Sequence, residues 1–181
     1  MSERSLPDKV VAVHEALAAV PHAFGGALAL AYWAEPRATV DIDLNVFVAV
    51  DRRADVLEPL AALGVDLAGV DAAVERDGQA RAWWGRTPVD LFFAYDAFHD
   101  AARGAAVGVP FATTSIPVLS ADHLAVAKAV FDRQKDWVDI EAMLDAGTHL
   151  DTAEVLRWVG RIAGDTDPRY ERVAALLTTA R

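Results

Sequence analysis

Asp41 and Asp43 stand two residues apart in the segment TVDIDLNVFVAV, Thr39 to Val50, in which Val40, Ile42, Leu44, Val46 and Val48 fall at every second position. Strict alternation predicts a strand with one buried face. On a strand, side chains two apart leave from the same side. The two carboxylates therefore point together, away from the apolar face. At a spacing of about 6–7 Å they repel one another unless a cation lies between them. Oxygen-only donors with open positions suit Mg²⁺. Two solvated aspartates on the polar face of an edge strand would give the same pattern, so the pair needs support from elsewhere in the chain.

Asp90, in Thr87-Pro-Val-Asp-Leu-Phe-Phe, supplies it. Val89, Leu91 and Phe93 alternate inward, so Asp90 points to the opposite face. If this strand pairs beside the first, three carboxylates share one face, an arrangement that is costly without metal and able to hold two ions. Gly25-Gly26 precedes a short helix. Glycines there let backbone N–H groups approach a phosphate, although an ordinary tight turn would read the same. Thr39 is predicted on the face of Asp41 and Asp43, where its hydroxyl could bond a phosphate or water and where phosphorylation would oppose nucleotide binding. Arg37 flanks the same strand as a candidate phosphate ligand, or as a surface arginine after Pro36.

The elements that must position these groups follow from periodicity. Helices are expected over Pro7 to Val20 with Ser5 as cap, Ala27 to Trp33, Ala54 to Leu63, Asp71 to Arg76 and Asp96 to Ala106. Gln79 to Trp84 and Pro88 to Ala94 read as two strands of a hairpin around Gly85-Arg86-Thr87. Val109 to Leu119 is extended, with Pro110 and Pro117 restricting strands there to edges. Beyond Ser120 the chain reads as helix: Ala121 to Phe131, Asp136 to Leu144, Thr152 to Ala163 and Pro168 to Thr178. The expected architecture is α/β (α+β), a mixed β-sheet flanked by helices and followed by a C-terminal helical bundle. The expected division is 1–119 as core and 120–181 as helical lobe.

Leu124, Lys128 and Phe131 share a helical face, which places Lys128 on the apolar side. Such a lysine either snorkels at the stripe's edge or has a charged partner, the carboxylate cluster or a triphosphate. Arg133 and Lys135 are candidate phosphate ligands. Asp136 is read as a cap for a helix starting at Trp137, and Asp139 as a partner for Arg133 or Lys135. At least one of Trp83 and Trp84 faces the core and the other could stack on a base, with core packing the expectation for both. The five histidines show no metal-ligand spacing.

Of the 181 residues, 54% are hydrophobic, which excludes a disordered chain. Lys and Arg total 17 against 27 Asp and Glu, a formal charge of −10 that repels nucleic acid on average. Cysteine is absent, so disulfides and thiolate metal sites are excluded. No leader-like or membrane-spanning run is evident in the sequence, and a soluble cytoplasmic protein is the expectation.

The run from Gly25-Gly26 through Arg37 and Thr39 to Asp41-Ile-Asp43-Leu resembles the signature of the DNA polymerase β-like nucleotidyltransferases: a Gly-Gly or Gly-Ser turn, a short helix, and Asp-x-Asp on a strand, with Asp90 in the place of the later carboxylate. The segment from Leu119 through Asp122, Lys128, Arg133, Lys135 and Asp136 to Asp139 resembles the second signature of the AbiEii/MenT-type toxins. The resemblance covers roughly Phe24 to Leu144, and Gly26 departs from the commoner Ser. It implies NMP transfer from a Mg²⁺-bound NTP, with Asp41, Asp43 and Asp90 holding metal and Lys128 balancing phosphate charge. It further implies a tRNA 3′ end as acceptor and a cognate antitoxin. Arg81, Arg86, Arg103, Lys128, Arg133 and Lys135 would have to gather into a basic rim to serve tRNA. The alternatives are a small-molecule acceptor such as an aminoglycoside, for which an acidic cleft is suited, and an inactive nucleotidyltransferase fold that serves as a binding partner.

Overall fold

The computed structural model describes residues 4–179. Residues 1–3, the start of the segment read above for a leader, lie outside them. Helix α1 (Leu6–Ala16) begins at Ser5, whose hydroxyl accepts the Asp8 N–H, and carries proline in its first turn, where no amide hydrogen is needed. A three-residue strand, β1 (His22–Phe24), runs into the glycine pair and the short helix α2 (Gly26–Leu30). Strand β2 (Ile42–Ala49) follows, then α3 (Ala54–Ala62) and α4 (Val70–Asp77). Strands β3 (Gln79–Trp84) and β4 (Thr87–Ala94) form a hairpin, α5 (Ala97–Gly104) comes next, and β5 (Val107–Phe111) and β6 (Thr114–Val118) form a second hairpin. The remaining helices are α6 (Ala121–Phe131), α7 (Gln134–Asp145), α8 (Thr152–Ala163) and α9 (Pro168–Thr179).

The chain forms two compact units. The first comprises the described part of Met1–Leu28 with Ala38–Leu119; the second joins Ala29–Arg37 to the described part of Ser120–Arg181. All six strands lie in the first unit, in the order β3-β4-β2-β1-β6-β5. The sheet is mixed: β2 runs parallel to β4 and β1 parallel to β6, while β1–β2 and both hairpins are antiparallel. The register Ile42↔Val89, Leu44↔Leu91, Val46↔Phe93 puts six apolar side chains on one face, and none of them reaches solvent. Burying each of these side chains stabilises the fold by roughly 1.5–3 kcal/mol, and a one-residue slip would turn every one of them outward. That penalty fixes the opposite face, where Asp43 lies beside Asp90.

Two expectations are corrected here, and one strand is added. Val40 does not continue the apolar face of β2; it precedes the strand and is 68% exposed. His22–Phe24, too short for a periodic signal, is a strand. Pro110 does lie on the edge strand β5, but β6, which carries Pro117, sits inside the sheet. It pairs with β1 only through Phe24↔Val118, so Pro117 faces no demand for a ladder hydrogen bond on that side.

In the second unit α6 packs against α7, α8 and α9, and α8 against α9. Val126, Ala129, Ile140, Met143, Val155, Val159 and Val173 are fully buried there. Phe131, expected on the inward face of α6, is instead partly exposed. Asp132 caps the helix in a left-handed conformation directly after Phe131, and its carboxylate accepts the indole N–H of Trp137.

Candidate active site

The glycine turn and the first carboxylates are built against each other. Gly25 donates its N–H to the carbonyl of Asp43 at 2.9 Å. Gly26 has φ +52°, and a Cβ there would lie 1.8 Å from Asp43 Oδ2 and 2.4 Å from Cγ. A Cβ on Gly25 would lie 2.8 Å from Asn45 Nδ2. Position 26 therefore needs glycine twice over, for its backbone conformation and for the space it leaves to the Asp43 carboxylate. This accounts for the departure from Gly-Ser: in this chain a serine Cβ would collide with the carboxylate.

Asp41 sits one residue ahead of β2, not within it, and its N–H is accepted by Thr39 Oγ1 at 3.2 Å. Thr39 was expected to alternate on the strand face as a phosphate ligand. Its hydroxyl instead closes a local turn that fixes the backbone of Asp41.

Asp90 is paired in register with Asp43 on the neighbouring parallel strand, so their backbones are about 4.8 Å apart. From the other side, Arg81 of β3 is in register with Asp90. Its Nε and Nη2 each donate to one carboxylate oxygen of Asp90, both at 2.7 Å. This fork-to-fork pair is the strongest geometry available to an arginine and a carboxylate. The guanidinium's affinity for its proton rises above its usual range, first through the hydrogen bonds to Asp90 and then through the fields of Asp90, Asp41 and Asp43. Arg81 thus stands in the field of all three carboxylates, as a cation would. Among the described residues no three His, Asp or Glu side chains stand ready to hold a metal. Asp90 is engaged with Arg81 instead.

The donor set nevertheless fits Mg²⁺. It consists of carboxylate oxygens, the cradle at Gly26 is kept clear for one of them, and a guanidinium already balances their charge. Asp41 and Asp43 supply oxygen donors at the head of β2, and Asp90 supplies more when Arg81 releases it.

The second unit holds Arg37, Lys128 and Arg133 in one ion-pair network with Asp136 and Asp139. Lys128, only 5% exposed, donates to Asp139 at 2.5 Å and lies 3.7 Å from Asp136. Arg37 donates through Nε and Nη2 to both oxygens of Asp139 at 3.1 and 3.0 Å. Burial works against the charge on Asp139, but hydrogen bonds from Arg37 and Lys128 outweigh it and hold the carboxyl below its usual range. Arg133 pairs with Asp136, which sits in the third position of α7 and also accepts the Arg133 N–H. The helix therefore starts at Gln134, earlier than expected, and Asp139 pairs with Arg37 and Lys128, not with Arg133 or Lys135. Lys135 is exposed. Trp84 is buried, but Trp83, expected in the core, is 46% exposed and alternates onto the face that carries Arg81.

Sequence reasoning missed two charged residues of the first unit. Arg81 was grouped only with possible basic-rim residues. Lys9, buried in α1, donates to the Trp84 carbonyl at 2.8 Å and to Thr87 Oγ1 at 3.0 Å, tying the β3–β4 turn to the first helix. A lysine within the apolar run of α1 was the available signal.

No protein-family profile and no curated protein matches the chain. Among solved structures, the solution structure of the antibiotic-resistance factor ANT(2'')-Ia matches with a TM-score of 0.56 at 16% identity, over 96% of this chain and 91% of that one. The crystal structure of ANT(2'')-Ia in complex with adenylyl-2''-tobramycin gives 0.54 at 15% identity, over 97% and 96%. The chain has a nucleotidyltransferase fold. An antigenic nucleotidyltransferase-like protein from Paracoccidioides brasiliensis, with a TM-score of 0.48 at 14% identity over 97% and 94%, adds no weight. Likeness at these identities establishes the nucleotidyltransferase fold; what the chain does with it rests on its own residues.

Proposed function

We propose that the chain transfers a nucleoside monophosphate from an NTP to a hydroxyl group of a small cationic acceptor and releases pyrophosphate. The observation that carries this reading is the register that sets Asp43 beside Asp90, with Asp41 at the entry to the same strand and a side-chain-free turn at Gly25-Gly26 against them. Asp41 and Asp43 would hold Mg²⁺, and Asp90 would join them. Bound there, Mg²⁺ would neutralise charge on the phosphates and on the oxygens entering and leaving the α-phosphorus. The side-chain-free turn at Gly25-Gly26 would let the triphosphate approach the backbone beside the carboxylates. Asp90 would accept the proton of the attacking hydroxyl as that oxygen bonds to the α-phosphorus and the bond to pyrophosphate breaks. Thr39 serves by fixing Asp41. Arg37, Lys128 and Arg133 are engaged with carboxylates of the helical unit, so the proposed chemistry assigns them no phosphate contact.

Charge supports a cationic acceptor. The chain carries −10 overall, and three of the six basic residues that a tRNA-binding rim would need, Arg81, Lys128 and Arg133, are paired with carboxylates. The solved structure of an adenylylated aminoglycoside bound to ANT(2'')-Ia fits the same acceptor class. A toxin that modifies tRNA and is restrained by an antitoxin is the second reading, favoured by the resemblance of Leu119 to Asp139 to the AbiEii/MenT-type segment.

The test is incubation with labelled NTPs, Mg²⁺ and either total tRNA or an aminoglycoside panel. Label should enter an aminoglycoside and be lost by at least ~10³-fold in Asp41→Asn and Asp43→Asn, both still folded. Label in tRNA alone would transfer the conclusion to the second reading. Undiminished transfer by a folded Asp41→Asn protein would reject the site.

A further inference from the structure

We infer that Arg81 is a resident counter-ion of the carboxylate row, holding Asp90 until a divalent cation displaces it. The inference rests on the proposed metal site and concerns how that site is kept before metal arrives.

Three observations carry it. First, Arg81 uses a two-point fork on Asp90, with both bonds at 2.7 Å, so neither oxygen is left with its strongest lone-pair direction open to a metal. Second, the register sets Asp43 beside Asp90 and Arg81 on the other side of Asp90, so the guanidinium neutralises charge in the same carboxylate row that a bound cation would neutralise. A second cation cannot enter that row without repulsion. Third, Arg81 is free to leave. It lies on β3, the end strand of the sheet, and its side chain is 51% exposed whereas that of Asp90 is 17% exposed. A long, half-exposed arginine can swing into water at little cost, whereas Asp90, fixed on an inner strand, cannot follow it.

A purely structural role for the pair makes a different prediction. A stabilising ion pair lost by mutation lowers the melting temperature and does nothing for metal affinity. A displaceable counter-ion, once removed, lowers stability without metal and raises metal affinity, because the metal no longer has to break the fork. Part of what metal binding would gain is otherwise lost in expelling Arg81.

The experiment uses the full nucleotide-free chain and Mn²⁺ as probe. Free Mn²⁺ is counted by its electron paramagnetic resonance signal, for the wild type, Arg81→Gln, Arg81→Lys and Asp43→Asn. Arg81→Gln should bind Mn²⁺ roughly five- to tenfold more tightly than wild type. Arg81→Lys, which keeps the charge but not the fork, should fall between them, and Asp43→Asn should bind more weakly. In EDTA, Arg81→Gln should melt below wild type and recover more than wild type does when Mn²⁺ is added. Wild-type and Arg81→Gln proteins with equal affinity would overturn the counter-ion role and leave the metal site standing. If neither binds Mn²⁺ and Asp43→Asn changes nothing, the metal site itself fails and the inference with it. Should Arg81→Gln not fold, judged by circular dichroism, Arg81→Lys decides: tighter binding than wild type upholds the inference and equal binding overturns it.

Discussion

Replacing Gly26 with alanine should abolish most transfer activity while costing little stability, and the structure gives a magnitude for each. The added Cβ would lie 1.8 Å from Asp43 Oδ2. Non-bonded carbon and oxygen do not approach below about 3 Å, so the carboxylate must retreat by roughly 1 Å. A reacting group misplaced by that distance loses about 10²-fold in rate, equivalent to about 2.7 kcal/mol in the barrier. The backbone at φ +52° adds a folding penalty of about 1–2 kcal/mol for any residue with a Cβ, or ~3–6 °C in Tm for a chain of this length. Gly64 provides the control: it has φ +87° but nothing within 4 Å of an added Cβ. Gly64→Ala should therefore show the same small fall in Tm with transfer intact. The assay pairs thermal melts of the two variants with labelled-NTP turnover. If Gly26→Ala and Gly64→Ala lose equal stability and both retain full turnover, the carboxylate at position 43 does not need the place that the structure gives it, and the reasoning fails.

Asp139→Asn would leave Lys128 buried with only Asp136, 3.7 Å away, and would unfasten Arg37. A loss of about 3 kcal/mol or more is expected, seen as a Tm lower by ~10 °C; a fall under about 2 °C would show that the network contributes nothing. Burial lowers the proton affinity of His22, His99 and His123 in the folded chain. The unfolded chain then binds more protons as pH drops below about 6.5, so the stability these neutral rings contribute is complete above that pH and is lost on acidification towards their folded values. Tm should be lower at pH 5.5 than at 7.5. The lowered Asp139 makes no difference in this window, because its contribution persists down to about pH 4 and is lost below it. A Tm that is flat or rising between 7.5 and 5.5 would contradict the assignment.

The helices and long strands were legible because each carries its own period. The alternation through Ile42, Leu44 and Val46 located β2, and that through Val89, Leu91 and Phe93 located β4. Alternation also misled at Val40, since a pattern cannot say where pairing partners end. The Arg81–Asp90 pair escaped for a definable reason. A three-residue turn, Gly85-Arg86-Thr87, sets Trp84 against Pro88 and so Arg81 against Leu91. The actual turn is one residue shorter, Trp84 faces Thr87, and Arg81 faces Asp90. A one-residue error in turn length reassigns every cross-strand neighbour. Lys128 was expected to meet the carboxylate cluster or a triphosphate, or to snorkel, whereas its partner is Asp139. Asp139 lies a few turns away on the next helix, but its other partner Arg37 is 102 positions distant in sequence, and nothing local advertises it.

The excursion of Ala29–Arg37 into the helical unit has a consequence for how this protein can be dissected. Those residues are anchored by the Arg37–Asp139 fork and by Thr148 donating its hydroxyl hydrogen to the Trp33 carbonyl. The helical unit is thus discontinuous, threaded by two separate spans of polypeptide, and cannot be excised or exchanged as a cassette. A fragment truncated at Leu119 would still carry the threaded span, with its binding partners gone, between the glycine turn and the first aspartate. Any inactivity of such a fragment would reflect an orphaned connector as readily as missing chemistry.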